Sequence, residues 1–75
     1  MTGIVRVSIY RNDVCIYSGT CKHSDAAEAI MSFLKLCDKA SYEVMAYADG
    51  ECILDLSGSI ELICSLITSG TRFNT

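Results

Sequence analysis

Cys21, His23 and Asp25 bring a thiol, an imidazole and a carboxylate within five residues of one another. Those are the groups of a zinc site or of a Cys–His nucleophile pair. Neither chemistry is completed by the rest of the chain. A structural zinc takes four ligands, commonly from two spaced pairs. No second pair exists, and His23 is the only histidine. A Cys–His nucleophile needs a third group to orient the base, whereas this stretch reads as a polar loop before a helix. Ser57-Gly58-Ser59 would offer backbone N–H groups to an anion at a helix start. It lacks the lysine and the glycine spacing of a phosphate-binding loop, so it reads as a helix cap. Glu43, Asp49, Glu51 and Asp55 could supply a general acid and a general base. Asp49 belongs to a turn and the other three alternate with apolar positions, so a solvated face, or one that meets a cationic partner, is the expectation. No catalytic residue, metal or cofactor site is expected.

Tyr10 and Tyr17 are the remaining candidates. Aromatics on an open sheet can stack on bases or, having an apolar body and a polar tip, seat a protein partner. Their position depends on the strands around them. Ile4 to Tyr10 alternates, with Val5, Val7 and Ile9 on one face and Arg6, Ser8 and Tyr10 on the other. Val14-Cys15-Ile16-Tyr17 reads as the returning strand. A two-residue turn at Asn12-Asp13 would set Ile9 opposite Ile16 and Tyr10 opposite Cys15, which places Tyr10 and Tyr17 on one face beside Cys15 and Arg6.

Ser24 or Asp25 can cap a helix, and Asp25 with Glu28 fits a capping box. The helix that follows, running to about Cys37, carries an apolar stripe of Ala26, Ala27, Ile30, Phe33, Leu34 and Cys37. Tyr42 to Leu56 predicts a second hairpin around Asp49-Gly50, a pair suited to a turn with two positive φ angles. Unbroken pairing sets Tyr47 opposite Cys52, Met45 opposite Leu54 and Glu43 opposite Leu56. Ser57 or Ser59 then caps a second helix that Gly70 ends, with Thr71 to Thr75 as a tail.

The element order is ββαββα, an α+β fold. We expect a single domain over 1–75: a four-stranded antiparallel sheet with two helices largely on one face. The first ββα unit spans 1–39 and the second 40–70. An offset of 37 aligns Val7 with Val44, Tyr10 with Tyr47, Cys15 with Cys52 and Ile16 with Ile53, the mark of an internal repeat. The repeat and the turn disagree. Repetition buries Val44, Ala46 and Ile53, whereas pairing across Asp49-Gly50 buries Met45, Tyr47 and Leu54. Either the sheet is apolar on both faces or one hairpin has slipped.

A chain of 75 residues is one domain at most and buries only about 60% of its unfolded surface. The composition, 51% apolar and 20% charged, is that of a folded chain rather than a disordered one. No signal peptide or membrane span is expected. The five cysteines are odd in number and form no Cys-x-x-Cys, which points to a reducing, cytoplasmic setting. Net charge is −3, and residues 40–71 hold five acids and no base. Such a surface repels phosphate and attracts cations, which argues against direct nucleic-acid binding. With both helices on one side, the bare side would present Tyr10, Tyr17, Cys15, Val44, Ala46 and Ile53, edged by Arg6, Asp49, Glu51 and Asp55. The expectation is a non-enzymatic protein–protein interaction module that occludes a basic site on its target. A homodimeric assembly subunit is the alternative, and a small-ligand domain or enzyme the second alternative. In size, acidity and lack of chemistry the chain resembles the small inhibitors encoded by phages and mobile elements, anti-CRISPR proteins among them. That resemblance is one of size class and rests on no motif.

Overall fold

The computed structural model of the chain describes residues 3–69. Strands β1 (Ile4–Arg11) and β2 (Val14–Lys22) form the first hairpin, and a 3-10 turn (His23–Asp25) leads into α1 (Ala26–Lys35). Strands β3 (Ser41–Ala48) and β4 (Glu51–Ser59) form the second hairpin, and α2 (Ile60–Thr68) follows directly. This is the expected ββαββα order. The four strands make one sheet in the order β2-β1-β3-β4, every neighbouring pair antiparallel. Gly70 and Thr71 to Thr75, expected as a helix stop and a tail, lie outside the described residues.

Both hairpins close through two residues with positive φ, Asn12 (52°) and Asp13 (65°), then Asp49 (52°) and Gly50 (83°). This mirror-image turn matches the twist of the strands it joins. Asn and Asp tolerate the left-handed region because their short polar side chains satisfy nearby backbone groups.

The repeat is carried through to the coordinates. Both boundaries of β3 and both boundaries of β4 lie 37 residues after those of β1 and β2. The pairings follow the same shift: Ile9 opposite Tyr17 corresponds to Ala46 opposite Leu54, and Tyr10 opposite Cys15 to Tyr47 opposite Cys52. Between the halves Ser8 pairs with Met45, its own equivalent. A pseudo-two-fold axis therefore passes through the sheet at that pair.

Each hairpin also holds one residue too many on its outer strand. The register shifts between Ile9 and Tyr10, which leaves Ile16 as the extra residue, and between Ala46 and Tyr47, which leaves Ile53. These are β-bulges. The Cys15 thiol donates to the Tyr17 carbonyl across the first (3.3 Å), and the Cys52 thiol donates to the Leu54 carbonyl across the second (3.3 Å). The bulges settle the disagreement between repeat and turn. Unbroken pairing would set Met45 opposite Leu54; the structure pairs Met45 with Asp55 and Glu43 with Ser57. Tyr47 opposite Cys52 and Tyr10 opposite Cys15 stand as expected. Val44 and Ala46 turn to the helices, as does Leu54, and Met45 and Tyr47 to the other side.

The core lies between that face and both helices. Val5, Val7 and Ile9 of β1 and Val44 and Ala46 of β3 meet Ala26, Ile30 and Leu34 of α1 and Ile63 and Ile67 of α2. Ala26 with Ile63, and Ile30 with Ile67, are again 37 apart. Burying one such branched side chain is worth about 1.5–3 kcal/mol, and this layer is what holds a domain of this size together. Ser59 caps α2, its hydroxyl accepting from the Leu62 N–H at 3.1 Å, a contribution of about 1 kcal/mol. The expected capping box at α1 does not form. Asp25 has helical backbone angles and makes no cap bond, because the 3-10 turn already occupies the entry to the helix. The helix stops at Lys35, before Cys37.

Candidate functional site: the uncovered sheet face

The helices leave the opposite face of the sheet without a second layer among the described residues. Residues alternate along each strand, so the pairings assign this face. It carries Arg6, Ser8 and Tyr10 from β1, Cys15, Ser18 and Thr20 from β2, Glu43, Met45 and Tyr47 from β3, and Cys52 and Asp55 from β4. Tyr10, Met45 and Tyr47 are half-buried, and Ser8 between them is buried. The Tyr47 hydroxyl donates to the Met45 sulfur at 3.7 Å. A shallow groove of about 820 Å³ runs over the β1–β2 side of the face, with Tyr10, Tyr47 and Asp49 among its walls and Ser8 in its lining. Burial pushes the Tyr47 hydroxyl above the ordinary tyrosine value, and Cys52, Tyr10, Asp55 and Glu43 add to the rise. Glu43 and Asp55 give the second half of the face its negative charge.

Of the six residues proposed from sequence, the structure brings Arg6, Tyr10 and Asp55 together on this face and sets Asp49 at its end in the turn. Tyr17 is a correction. The bulge at Ile16 puts Tyr17 opposite buried Ile9, on the helix side, where its ring packs tilted on Phe33 at 4.8 Å between centroids. Glu51 is a second correction. It pairs with Ala48 on the helix-side alternation and is exposed at the sheet's end. Val44 and Ala46, expected on the bare side, are fully buried beneath the helices. Ile53, also expected there, is the bulge residue and packs partly against the core. Sequence reasoning passed over Tyr47, Met45 and Ser8, although the match of Tyr10 with Tyr47 at an offset of 37 pointed to them.

Cys21, His23 and Asp25 do not assemble a reactive centre. Cys21 lies half-buried opposite Val5, and burial, then Asp25, raises its thiol above the ordinary value. Nucleophiles and metal ligands need the thiolate, so this environment works against either role. The His23 backbone N–H donates to the Gly3 carbonyl at 2.6 Å and ties the turn to the start of β1. Among the described residues no three or more His, Cys, Asp or Glu side chains cluster as a metal site. No described helix is long and apolar enough to cross a membrane.

Tyr42 closes the other end of the core. Its hydroxyl donates to the Asp38 carbonyl at 2.5 Å, and the Arg11 guanidinium stands 5.9 Å from its ring centre. Burial raises its hydroxyl first, Cys37 and Asp38 add to the rise, and Arg11 opposes it. Cys21, Tyr42 and Tyr47 are all acids held neutral by the fold. Unfolded, they lose protons near their ordinary values of 9.0 for the thiol and 10.0 for the phenols. Above those values the unfolded chain binds fewer protons than the folded one, so ionisation favours unfolding. Stability should be full below about pH 9 and fall as pH rises through the raised values. Urea midpoints measured against pH should show this alkaline arm, and Tyr42→Phe should make it shallower. A midpoint that stays level through the tyrosine range contradicts the assignment.

No protein-family model, curated protein or solved structure matches the chain, so its function has to be argued from this face.

Proposed function

We propose that the chain is a small, acidic, non-enzymatic protein–protein interaction module that docks through its uncovered sheet face. Tyr10, Met45 and Tyr47 form the apolar centre, and Glu43, Asp49 and Asp55 form an acidic half suited to a basic surface on the partner. The observation that carries this is a helix-free sheet face with two tyrosines and a methionine at its middle. Aromatic and methionine side chains ringed by polar groups are the composition of protein interfaces, and unpartnered apolar patches on a monomer are unusual. The finer reading is an inhibitor of the phage or mobile-element kind, acting by occlusion of a basic site on its target. A homodimeric subunit is the second reading, favoured by Arg6 on the same face as the acids.

The test is capture of partner protein by the immobilised full chain, with each variant's fold checked by circular dichroism. Tyr10→Asp should reduce capture about tenfold, the scale of a central interface residue, and Asp55→Arg, on the outer strand β4, should reduce it less. Glu51→Arg, on the helix-side alternation, should leave capture unchanged. Undiminished capture by Tyr10→Asp would sink the proposal, as would loss confined to Glu51→Arg.

A further inference from the structure

We infer that the occupant of the uncovered face is a second copy of this chain, laid face to face about a two-fold axis parallel to the strands. The inference rests on the docking face proposed above and adds its partner and orientation.

The repeat makes the two halves of the face alike in shape, but they differ in charge. Equivalent positions hold Arg6 and Glu43, Ser18 and Asp55, Lys22 and Ser59. On this face the β2–β1 half therefore carries Arg6 and Lys22, the latter opposite Ile4, and the β3–β4 half carries Glu43 and Asp55, with Asp49 at its turn. Asp13, in the first turn, borders a recess with Tyr10 and Glu43 at the end of the sheet away from Lys22. The basic surface that the acidic half requires is present on the same protein.

A face with an internal pseudo-two-fold can stack on its copy in two ways with similar apolar contacts, and charge separates them. With the axis perpendicular to the strands, every strand lies over its own counterpart. Asp55 stands at the middle level, in line with Met45, Ser8 and Ser18, so Asp55 would face Asp55. Like charges juxtaposed across an interface are strongly disfavoured. With the axis parallel to the strands, β3 lies over β1 and β4 over β2 of the second copy. Each Asp55 then faces a Ser18, each Tyr47 covers an Arg6, a favourable cation–π geometry, and each Asp49 approaches a Lys22.

The same arrangement matches shapes. Met45 comes to lie over Ser8 of the second copy, a large side chain over a small one, and the relation holds twice. Ser8 lines the groove on the β1–β2 side, the half over which Met45 and Tyr47 arrive. Four strands about 4.8 Å apart and about eight residues long at about 3.3 Å each present about 500 Å² per copy. The pair buries about 1,000 Å², the lower bound for a specific interface.

Sedimentation equilibrium of the full chain tests this. The expected result is a concentration-dependent dimer that weakens with added salt. Ser18 is exposed, so its variants should fold, and they should move the dimer in opposite directions: Ser18→Lys tightens it and Ser18→Asp loosens it, each several-fold. Asp55→Lys should restore dimerisation in the Ser18→Asp background. Met45→Ala should loosen it about tenfold. A monomer at every concentration, or Ser18 variants that shift the equilibrium the same way or leave it unmoved, overturns the inference. If the chain is monomeric while Tyr10→Asp still abolishes capture of another protein, the docking face stands and only its occupant is wrong.

Discussion

Ile9→Ala should lower the stability of the chain by about 2–5 kcal/mol, the range for a buried isoleucine truncated to alanine. Ile9 is wholly buried in the middle of β1, paired to Tyr17 on one side and Val44 on the other. It touches both hairpins, so the cavity left behind cannot close by the movement of one element. A 75-residue domain at about 0.05–0.15 kcal/mol per residue has about 4–11 kcal/mol in all, so this one change removes a large share. Ile16→Ala, in the first bulge and 39% exposed, is the control and should cost well under half as much. Urea midpoints of the two variants against the parent decide the matter. Equal midpoints for Ile9→Ala and the parent would mean that β1 is not at the centre of the core.

Gly58→Ala should cost about 1–3 kcal/mol through backbone strain, with a smaller further loss from collision. Gly58 has φ of 137°, a conformation that residues with a side chain rarely adopt. A Cβ built there would stand 2.6 Å from Cδ2 of Leu62. Two mechanisms act at one site, and a double-mutant cycle separates them. Leu62 is 48% exposed, so its truncation alone should cost little. In the Leu62→Ala background Gly58→Ala should lose only the strain component. The shortfall from additivity reports the collision. If the single and background effects are equal, the Leu62 side chain moves aside without resistance. If neither is measurable, the end of β4 where it enters α2 is looser than its geometry implies.

The order of elements, both two-residue turns and the inward stripe of the first helix were legible because each has a local cause. Positive-φ residues mark the turns, and apolar spacing marks the helix faces. The faces of the second hairpin were not legible from the turn alone. A bulge is one residue of extra length, and in Val-Cys-Ile-Tyr every residue suits a strand, so composition gives no sign of it. Its effect is nonetheless total, since one inserted residue exchanges the faces beyond it. That is how Tyr17 leaves the uncovered side for Phe33, and how Val44 and Ala46 become core. The offset of 37 held the correct answer, because equivalence with Val7 already required Val44 to be buried. Site residues such as Tyr47 and Met45 depend on this same correction. The missed α1 cap has a different cause: Asp25 is a good capping residue by type, but the chain tightens into a 3-10 turn before it.

The outer strands, β2 and β4, are each the site of one bulge, at Ile16 and Ile53. The rim of a sheet is where unpaired N–H and C=O groups can recruit another chain into an endless ribbon. A kink in each rim strand breaks the straight run of such groups and discourages edge-to-edge polymerisation on both sides alike. The repeat therefore provides matched guards against fibre growth, while the broad surface between them stays free for sociable contact.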